Sequence, residues 1–412
     1  MKLTNNSADG ALSKNSSKTG GALIGLILLL GSLSAFGPLS LDMYLPALPA
    51  LAQDLHTNAY YAQLSLTACL MGLAAGQLFA GPLSDVRGRK GPLIAGLVLY
   101  ALISILCSWA PTIQLFLMLR FIQGMAGSAG IVISRAIARD LYAGKELTKF
   151  YAMLMLVNGA APILAPIIGG QLLKVMEWRG IFMVLSGIGG LLLLGSLFGL
   201  KETLPQARRS AGGFRNMLST FGLLLKDRSF MGYALTQGFV IAGMFAYIAG
   251  SPFVVQEVFG KSPQFFSVIF AVNGAGIILA SQLTGRLSGK LKDSTLFAMG
   301  LATAATGGAS LLLVNLAGGG LYAMLPPLFL IVAAVGIVGT SGFPLAMQNY
   351  GHHAGTASAL LGLLSYILGS LLAPFVGMIG GTDAAAWPMA AVIAAAEAMA
   401  VLCYLTLVRV RK

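Results

Sequence analysis

Long apolar runs broken by short polar punctuation set the plan of this chain. Residues 22–46, 59–81, 91–109, 112–136, 149–173 and 179–200 are almost wholly apolar. A longer polar, basic stretch follows, and the pattern resumes at 230–255, 265–284, 294–316, 321–346, 355–380 and 385–408. Each run is close to the ~20 residues a helix needs to cross ~30 Å of hydrocarbon. The pattern predicts an all-α membrane protein of twelve spans, with both ends on one side. The stretch from Lys201 to about Ser229 divides them six and six. It gives a tail over 1–21, a bundle over 22–200, a linker over 201–229 and a second bundle over 230–408.

Composition and charge agree with this plan. Of 412 residues, 57% are hydrophobic and 9% charged, against roughly 25% charged in a soluble protein. The net charge of +13 does not point to nucleic acid, because the bases are sorted by side. They fall in the tail, at Arg87–Lys90, Arg135–Lys149, Lys201–Arg228 and Arg286–Lys292, and at the C-terminus. Only Lys174, Arg179 and Lys261 lie opposite, and Arg120 sits inside the fourth run. Basic loops mark the cytoplasmic face, so tail, linker and C-terminus are expected there. The apolar run after the tail continues into Pro38–Pro49, past the length of a signal-peptide core. Cys69, Cys107 and Cys403 lie in separate apolar runs, which argues against disulfides and a metal cluster.

Charge inside the membrane is costly and therefore informative. Three ionisable residues fall well within runs: Asp42, Arg120 and Glu397. Asp42 is expected near the outer end of the first span. Arg120 lies eight residues into the fourth, about 12 Å deep, and the two are expected to form a proton-coupling pair. A membrane carboxylate suits that task because its protonation follows its surroundings: desolvation favours the acid and a nearby cation the anion. Glu397 reads as a packing residue with proton coupling as its second reading. His56, His352 and His353 fall in loops.

The decamer Gly81-Pro-Leu-Ser-Asp-Val-Arg-Gly-Arg-Lys90 joins the second and third runs. Gly81 and Gly88 are read as permitting a tight turn. Asp85, Arg89 and Lys90 supply charge, and Asp140 at the inner end of the fourth span is an expected partner of Arg89. Such a cluster could lock and release an inner gate. A degenerate copy, Gly285-Arg-Leu-Ser-Gly-Lys-Leu-Lys292, recurs half a chain later. In the fifth run Asn158, Pro162, Pro166, Gly169 and Gly170 combine helix bends with close approach. A substrate cavity is expected from Tyr44, Gln237, Phe239, Met244, Phe245 and Asn273, with Tyr247 and Phe270 nearby. Aromatic and Met surfaces with few polar anchors suit amphipathic ligands.

The decamer resembles the loop signature of the major facilitator superfamily. Leu41-Asp-Met-Tyr-Leu-Pro-Ala-Leu-Pro49, Arg120-Phe-Ile-Gln-Gly124, Lys201-Glu-Thr-Leu-Pro205, Gly243-Met-Phe245, His353-Ala-Gly-Thr-Ala-Ser358 and Ala386-Trp-Pro-Met389 narrow the likeness to its bicyclomycin-resistance subfamily of drug:proton antiporters. The resemblance implies twelve helices in two pseudo-symmetric halves. It implies export of small amphipathic compounds, such as bicyclomycin- or chloramphenicol-like antibiotics, across a bacterial cytoplasmic membrane. It also ties Asp42 and Arg120 to proton coupling, with the proton gradient as energy source, no cofactor, and a monomer among lipids. The fifth span resembles the antiporter motif, with Ala161 and Ala165 where glycine usually precedes each proline. Facilitated movement or import of a polar metabolite on the same fold is the alternative. An enzyme is disfavoured, since no H-E-x-x-H, Ser–His pairing or P-loop appears.

Overall fold

The computed structural model describes residues 20–142, 144–209, 221–348, 350, 354–380 and 385–409. The expected tail lies almost wholly outside the described residues, as do 210–220 of the linker and both His352 and His353. No strand occurs among the described residues. The first span is broken into α1 (Gly20–Ser34), α2 (Phe36–Asp42), a 3-10 turn (Leu45–Ala47) and α3 (Leu48–Asp54). Then come α4 (Ala59–Arg87), α5 (Lys90–Ser108), α6 (Ile113–Leu141), α7 (Gly144–Leu172) and α8 (Trp178–Gly199). The second half holds α9 (Arg228–Phe253), α10 (Pro263–Leu287), α11 (Asp293–Leu316), α12 (Leu321–Met347), α13 (Ala354–Gly380) and α14 (Trp387–Cys403). Ten of these helices are long and apolar enough to span a membrane, and the broken first span, bent by 48°, makes an eleventh. With the 29-residue α7, twelve helical segments match the twelve apolar runs.

Polar caps start several spans where the punctuation falls. Asn58, Thr112, Asp227 and Ser262 each accept a backbone N–H from the first turn of α4, α6, α9 and α10. The first span departs from the expected 22–46. Helix resumes after the Pro46 turn and runs on to Asp54, so twelve residues lie beyond Asp42, seven of them the α3 helix, about 10 Å long. Asp42 is therefore deep within the first span and not at its outer end.

Packing in the first half recurs in the second. In one, α4 packs on α6, α5 on α8 and α1 on α7; six spans later α10 packs on α12, α11 on α14 and α9 on α13. Close approach underlies the α4–α6 contact. A Cβ at Gly72 would collide with the Phe121 carbonyl, and one at Gly124 with the Cys69 carbonyl. The halves meet along α4–α13 and α7–α10.

Candidate functional site

A cavity of about 460 Å³ lies between the halves. On α9 it is lined by Gln237, Ile241, Met244, Phe245, Tyr247 and Ile248, most of them along one helical face. Four of the expected lining residues are there: Gln237, Met244, Phe245 and Asn273. Asn273 donates to the Tyr247 hydroxyl at 2.8 Å, which fixes two polar anchors in a largely apolar wall. Two expectations are corrected. Phe239 points away, packing on the cluster around Val240 and Phe297, because two residues along a helix turn a side chain to the opposite face. Tyr44 is fully buried below the cavity wall and shares a hydrogen bond with Ser65 Oγ at 2.9 Å.

Asp42 ends α2 and lines this cavity. No ion pair involves it among the described residues, so the expected contact with Arg120 is absent. The break in the first span explains where Arg120 goes instead. Because α2 stops at Asp42, the Ser40 carbonyl is one of the last four of that helix, which lack intrahelical donors. Arg120 Nη2 donates to it at 2.8 Å, and Nη1 donates to Gln123 Oε1. Gln123 in turn donates to Ser104 Oγ at 2.7 Å. The guanidinium carbon sits 4.4 Å from the Tyr44 ring centre, a cation–π contact in a dry setting. Arg120 thus clamps the backbone beside Asp42 without touching its carboxylate.

The cavity wall also contains Arg135, which the sequence had offered only as an orientation signal. It lies six residues before the inner end of α6, about 9 Å along the axis. Phe343, near the end of α12, and Ser358, near the start of α13, line the same inner reach. At the end away from the basic loops the halves close on one another. Gln256 donates to the Pro46 carbonyl at 3.1 Å and Gln264 to the Gly170 carbonyl at 2.7 Å. Gly377 of α13 lies against the backbone of Tyr60. These contacts close the cavity at the end away from the basic loops.

The fifth-span motif forms part of that closure. Pro162 lines the cavity, and the Pro166 carbonyl accepts from Ser267 of the other half at 2.7 Å. Gly169 passes so close to the Met43 carbonyl that a Cβ would collide with it, and a Cβ at Gly170 would crowd Ser267 Oγ. One face of α7 therefore touches both the broken first span and the opposite half. The side chain of Asn158 lies outside the described residues.

The decamer is mostly helix, contrary to its reading as a loop. α4 runs to Arg87 and α5 starts at Lys90, leaving two residues between. Gly81 is inside α4, with ordinary space for a Cβ 3.6 Å from Val132, so it makes no turn. Gly88 does, at φ +92°. Arg89 donates to Asp85 at 2.5 Å, to Ser84 Oγ at 2.8 Å and to Asp140 at 2.9 Å. Lys90 Nζ donates to the Leu197 carbonyl at 2.8 Å. Partial burial pushes Arg89 down, but Asp140 and Asp85 outweigh it and hold the guanidinium above its usual range.

Glu202 completes this cluster, and the sequence had shown it only as part of a resemblance. It accepts the backbone N–H of Arg89 at 2.8 Å and of Lys90 at 3.2 Å, an anion at the start of α5. Burial raises its carboxyl, yet the N–H groups of Leu204, Arg89 and Lys90 and the charge of Arg209 prevail and hold it below the usual range. All these groups belong to the first half and the start of the linker.

In the second half Glu397 is buried, and neither carboxylate oxygen has a hydrogen-bond partner among the described residues. Oε1 stands 2.6 Å from where a Cβ of Gly243 would be, and Gly308 of α11 also borders the side chain. Glycine on both neighbours makes the room it occupies.

Residues 28–374 match the Major Facilitator Superfamily model. The chain belongs to the major facilitator superfamily. It is 46% identical to the MFS-type transporter YdgK of Bacillus subtilis, over 91% of this chain and 93% of that one. It is 32% identical to the bicyclomycin resistance protein homolog of Haemophilus influenzae, over 92% of this chain and 94% of its relative. It is also similar to the multidrug resistance protein MdtL of Escherichia coli, at 30% identity over 85% of this chain and 87% of that one. Among solved structures, the nucleoside transporter NupG (D323A mutant) has a TM-score of 0.76 at 13% identity, covering 95% of this chain and 100% of its own. A partially occluded, inward-open xylose transporter XylE of E. coli has a TM-score of 0.74 at 13% identity, covering 93% and 97%. These two likenesses establish the MFS fold. This MFS chain is a multi-span membrane transporter, with apolar side chains exposed on its faces and its cavity between the halves.

Proposed function

We propose that this MFS transporter exports small amphipathic compounds, antibiotics among them, in exchange for protons by alternating access. The observation that carries this reading is Asp42 in the wall of a largely apolar cavity, with no cation paired to its carboxylate among the described residues. A carboxylate free of a permanent partner can take up a proton or face a substrate, and the two exclude one another. Met244, Phe245, Phe270 and Tyr366 supply adaptable apolar contact, while Gln237 and the Asn273–Tyr247 pair supply the few directional bonds. The names of the bicyclomycin-resistance and MdtL relatives support the same substrate class.

In this reading Asp42 loses its proton on the inner side as substrate enters, and regains it outside as substrate leaves. Arg120 holds the backbone at Ser40 so that the carboxylate stays on the cavity wall. The Arg89 cluster shapes the inner end of the first half, and α7 makes and breaks the outer seal. The termini and linker face the cytoplasm of a bacterial cell. No cofactor takes part, and the proton gradient supplies the energy. One charge moved through 100 mV is worth about 2.3 kcal/mol, enough for a gradient of roughly fiftyfold in a neutral solute. The deciding experiment is efflux of several dyes and antibiotics from proteoliposomes with an imposed pH gradient. Export that collapses with the gradient supports antiport; transport that follows only the solute's own gradient identifies a facilitator.

A further inference from the structure

A second hollow, of about 210 Å³, lies at the basic-loop end of the second half, away from the central cavity. It is lined by Arg228 and Ser229 at the start of α9, Tyr233 one turn on, Ser294 at the start of α11, and Tyr404, Leu407, Val408 and Arg409 at the end of the last span. We propose that it binds a phosphate-bearing anionic lipid headgroup of the inner leaflet, gripped by Arg228 and Arg409.

Local backbone geometry brings the two arginines together. The last span does not end as a regular α-helix: Tyr404–Val408 is a π-turn, a form that widens the helix and recurs at functional positions. Arg228 Nη2 donates to the Thr406 carbonyl of that turn at 2.6 Å. The start of α9 lies directly against the turn, since a Cβ at Gly232 would stand 2.8 Å from Val408 and 3.0 Å from Leu407. That contact puts Arg228 and Arg409 on the same hollow.

The charge there is unspent. Neither arginine takes part in an ion pair among the described residues. Two carboxylates are nearby in sequence, and both are engaged. Asp227 accepts the Ser229 N–H at 2.8 Å and the Tyr350 hydroxyl at 2.6 Å. Asp293 accepts from Ser288 Oγ at 2.6 Å. Arginine's planar fork matches phosphate oxygens in pairs, and the Ser229 and Ser294 hydroxyls can donate beside it. The N-terminal turns of α9 and α11 that border the hollow already carry Asp227 and Asp293, so the arginine side chains, and not the helix ends, are left to hold an anion.

Its surroundings favour a lipid over a free anion. Tyr233 packs on Phe297 with ring centres 5.3 Å apart, and Phe297 on Tyr404 at 5.8 Å. The floor is thus aromatic with hydroxyl tips, the combination suited to the membrane–water boundary. Leu405 on the same turn is exposed, where acyl chains would continue from the headgroup. Lys226, Lys290 and Lys292 flank the opening in sequence and add attraction to an anionic leaflet.

The test uses the full-length protein in detergent and in nanodiscs. Phosphatidylglycerol, phosphatidylcholine and inorganic phosphate are compared by thermal shift, and retained lipid is read by native mass spectrometry. Wild type is expected to retain phosphatidylglycerol and gain thermal stability from it, with little response to the other two. R228Q/R409Q should bind it roughly thirtyfold more weakly, from about 1 kcal/mol per base at the surface. R409Q alone, at an exposed position with no ion pair among the described residues, should show a smaller loss without disturbing the fold. R228K/R409K, which keeps charge without the fork, should fall between. Equal retention of phosphatidylglycerol by R228Q/R409Q and wild type would overturn the proposal. So would an arginine-dependent response to inorganic phosphate without one to phosphatidylglycerol, since that identifies a soluble-anion site.

Discussion

Arg120 holds the Ser40 carbonyl at 2.8 Å, two residues short of the Asp42 carboxylate. The bond joins α6 to the break in the first span and sets where Asp42 sits, so the cation acts on the acid through backbone position. R120A would leave the Ser40 carbonyl and Gln123 Oε1 without their donor in a dry interior. We expect it to cost about 2–6 kcal/mol of stability, roughly 1–3 kcal/mol for each buried acceptor left without a donor, together with most transport. Thermal unfolding measures the first. The pH midpoint of residual efflux should stay near that of wild type, and a large displacement would reveal direct pairing with Asp42 elsewhere in the cycle.

Two buried carboxylates are separated by the next prediction. Asp42 faces the cavity, whereas Glu397 is enclosed between glycines with no cation paired to it among the described residues. D42N should abolish gradient-driven efflux while retaining substrate binding and substrate exchange. E397Q keeps the shape without a charge to bury, and it should keep both efflux and stability close to wild type. Reconstituted transport with an imposed pH gradient reads both. Loss of coupling in E397Q with normal coupling in D42N would transfer the proton site to the second half.

Much of the architecture is legible in the sequence because lipid imposes length and apolarity on every span. The sequence is less explicit where one residue must be assigned a face or a partner. Phe239 and Gln237 are equally plausible lining residues until α9 is given a rotation, and packing on Phe297 supplies it. Asp42 and Arg120 suggest a pair by charge alone. The contest is decided by a carbonyl that exists as an acceptor only because α2 stops, which no charge pattern records. Arg135 is hidden by its own abundance class, one base among many near the inner face. The two-residue turn at Gly88 is obscured because Gly81 and Pro82 look like loop residues and yet lie inside α4.

Gly88 and Asp85 share a motif but should differ in magnitude. At φ +92° an alanine is strained, and its methyl would stand 2.5 Å from Glu202 Oε2 and 2.7 Å from Arg209 Nη2. G88A should cost about 1–3 kcal/mol. The Asp85 side chain is 46% exposed, so its bond to Arg89 adds about 0–1 kcal/mol, and D85N should barely change unfolding. If the cluster governs gating, D85N slows turnover and leaves ligand affinity unchanged. Unfolding curves, set beside single-turnover and binding measurements, check both parts.

Glu202 gives a pH dependence with a definite sign. Its carboxyl is held below the usual range in the folded protein, so the folded state favours the anion. That contribution is complete above the ordinary carboxylate range and is lost as pH falls through the depressed folded value. E202Q should therefore unfold at a lower temperature than wild type at neutral pH, and the difference should shrink on acidification. A difference that grows toward acid pH would contradict the assignment of Glu202 as the anion at the start of α5.

The outer seal supplies a test of alternating access itself. Gly377 lies so near α4 that a Cβ would stand 2.6 Å from the Tyr60 Cα and 2.7 Å from Gln63 Oε1. A leucine there cannot be accommodated while α13 and α4 stay in register, because the first obstacle is backbone. Overpacking of this kind costs about 1–3 kcal/mol, and it falls only on the outward-closed arrangement. The same energy therefore moves the equilibrium between inward- and outward-facing states by roughly five- to 150-fold. G377L should favour the outward-open state and slow transport by holding the protein there. A cysteine at position 237, on the cavity wall, reads the state in a background with Cys69, Cys107 and Cys403 replaced. Impermeant maleimide added from the basic-loop side should label it in the parent, while in G377L labelling should move to the opposite side. Unchanged inside labelling, with transport still slowed, would mean that the α4–α13 contact is structural and that the seal opens elsewhere, with Gln264 and Gly170 the next place to look.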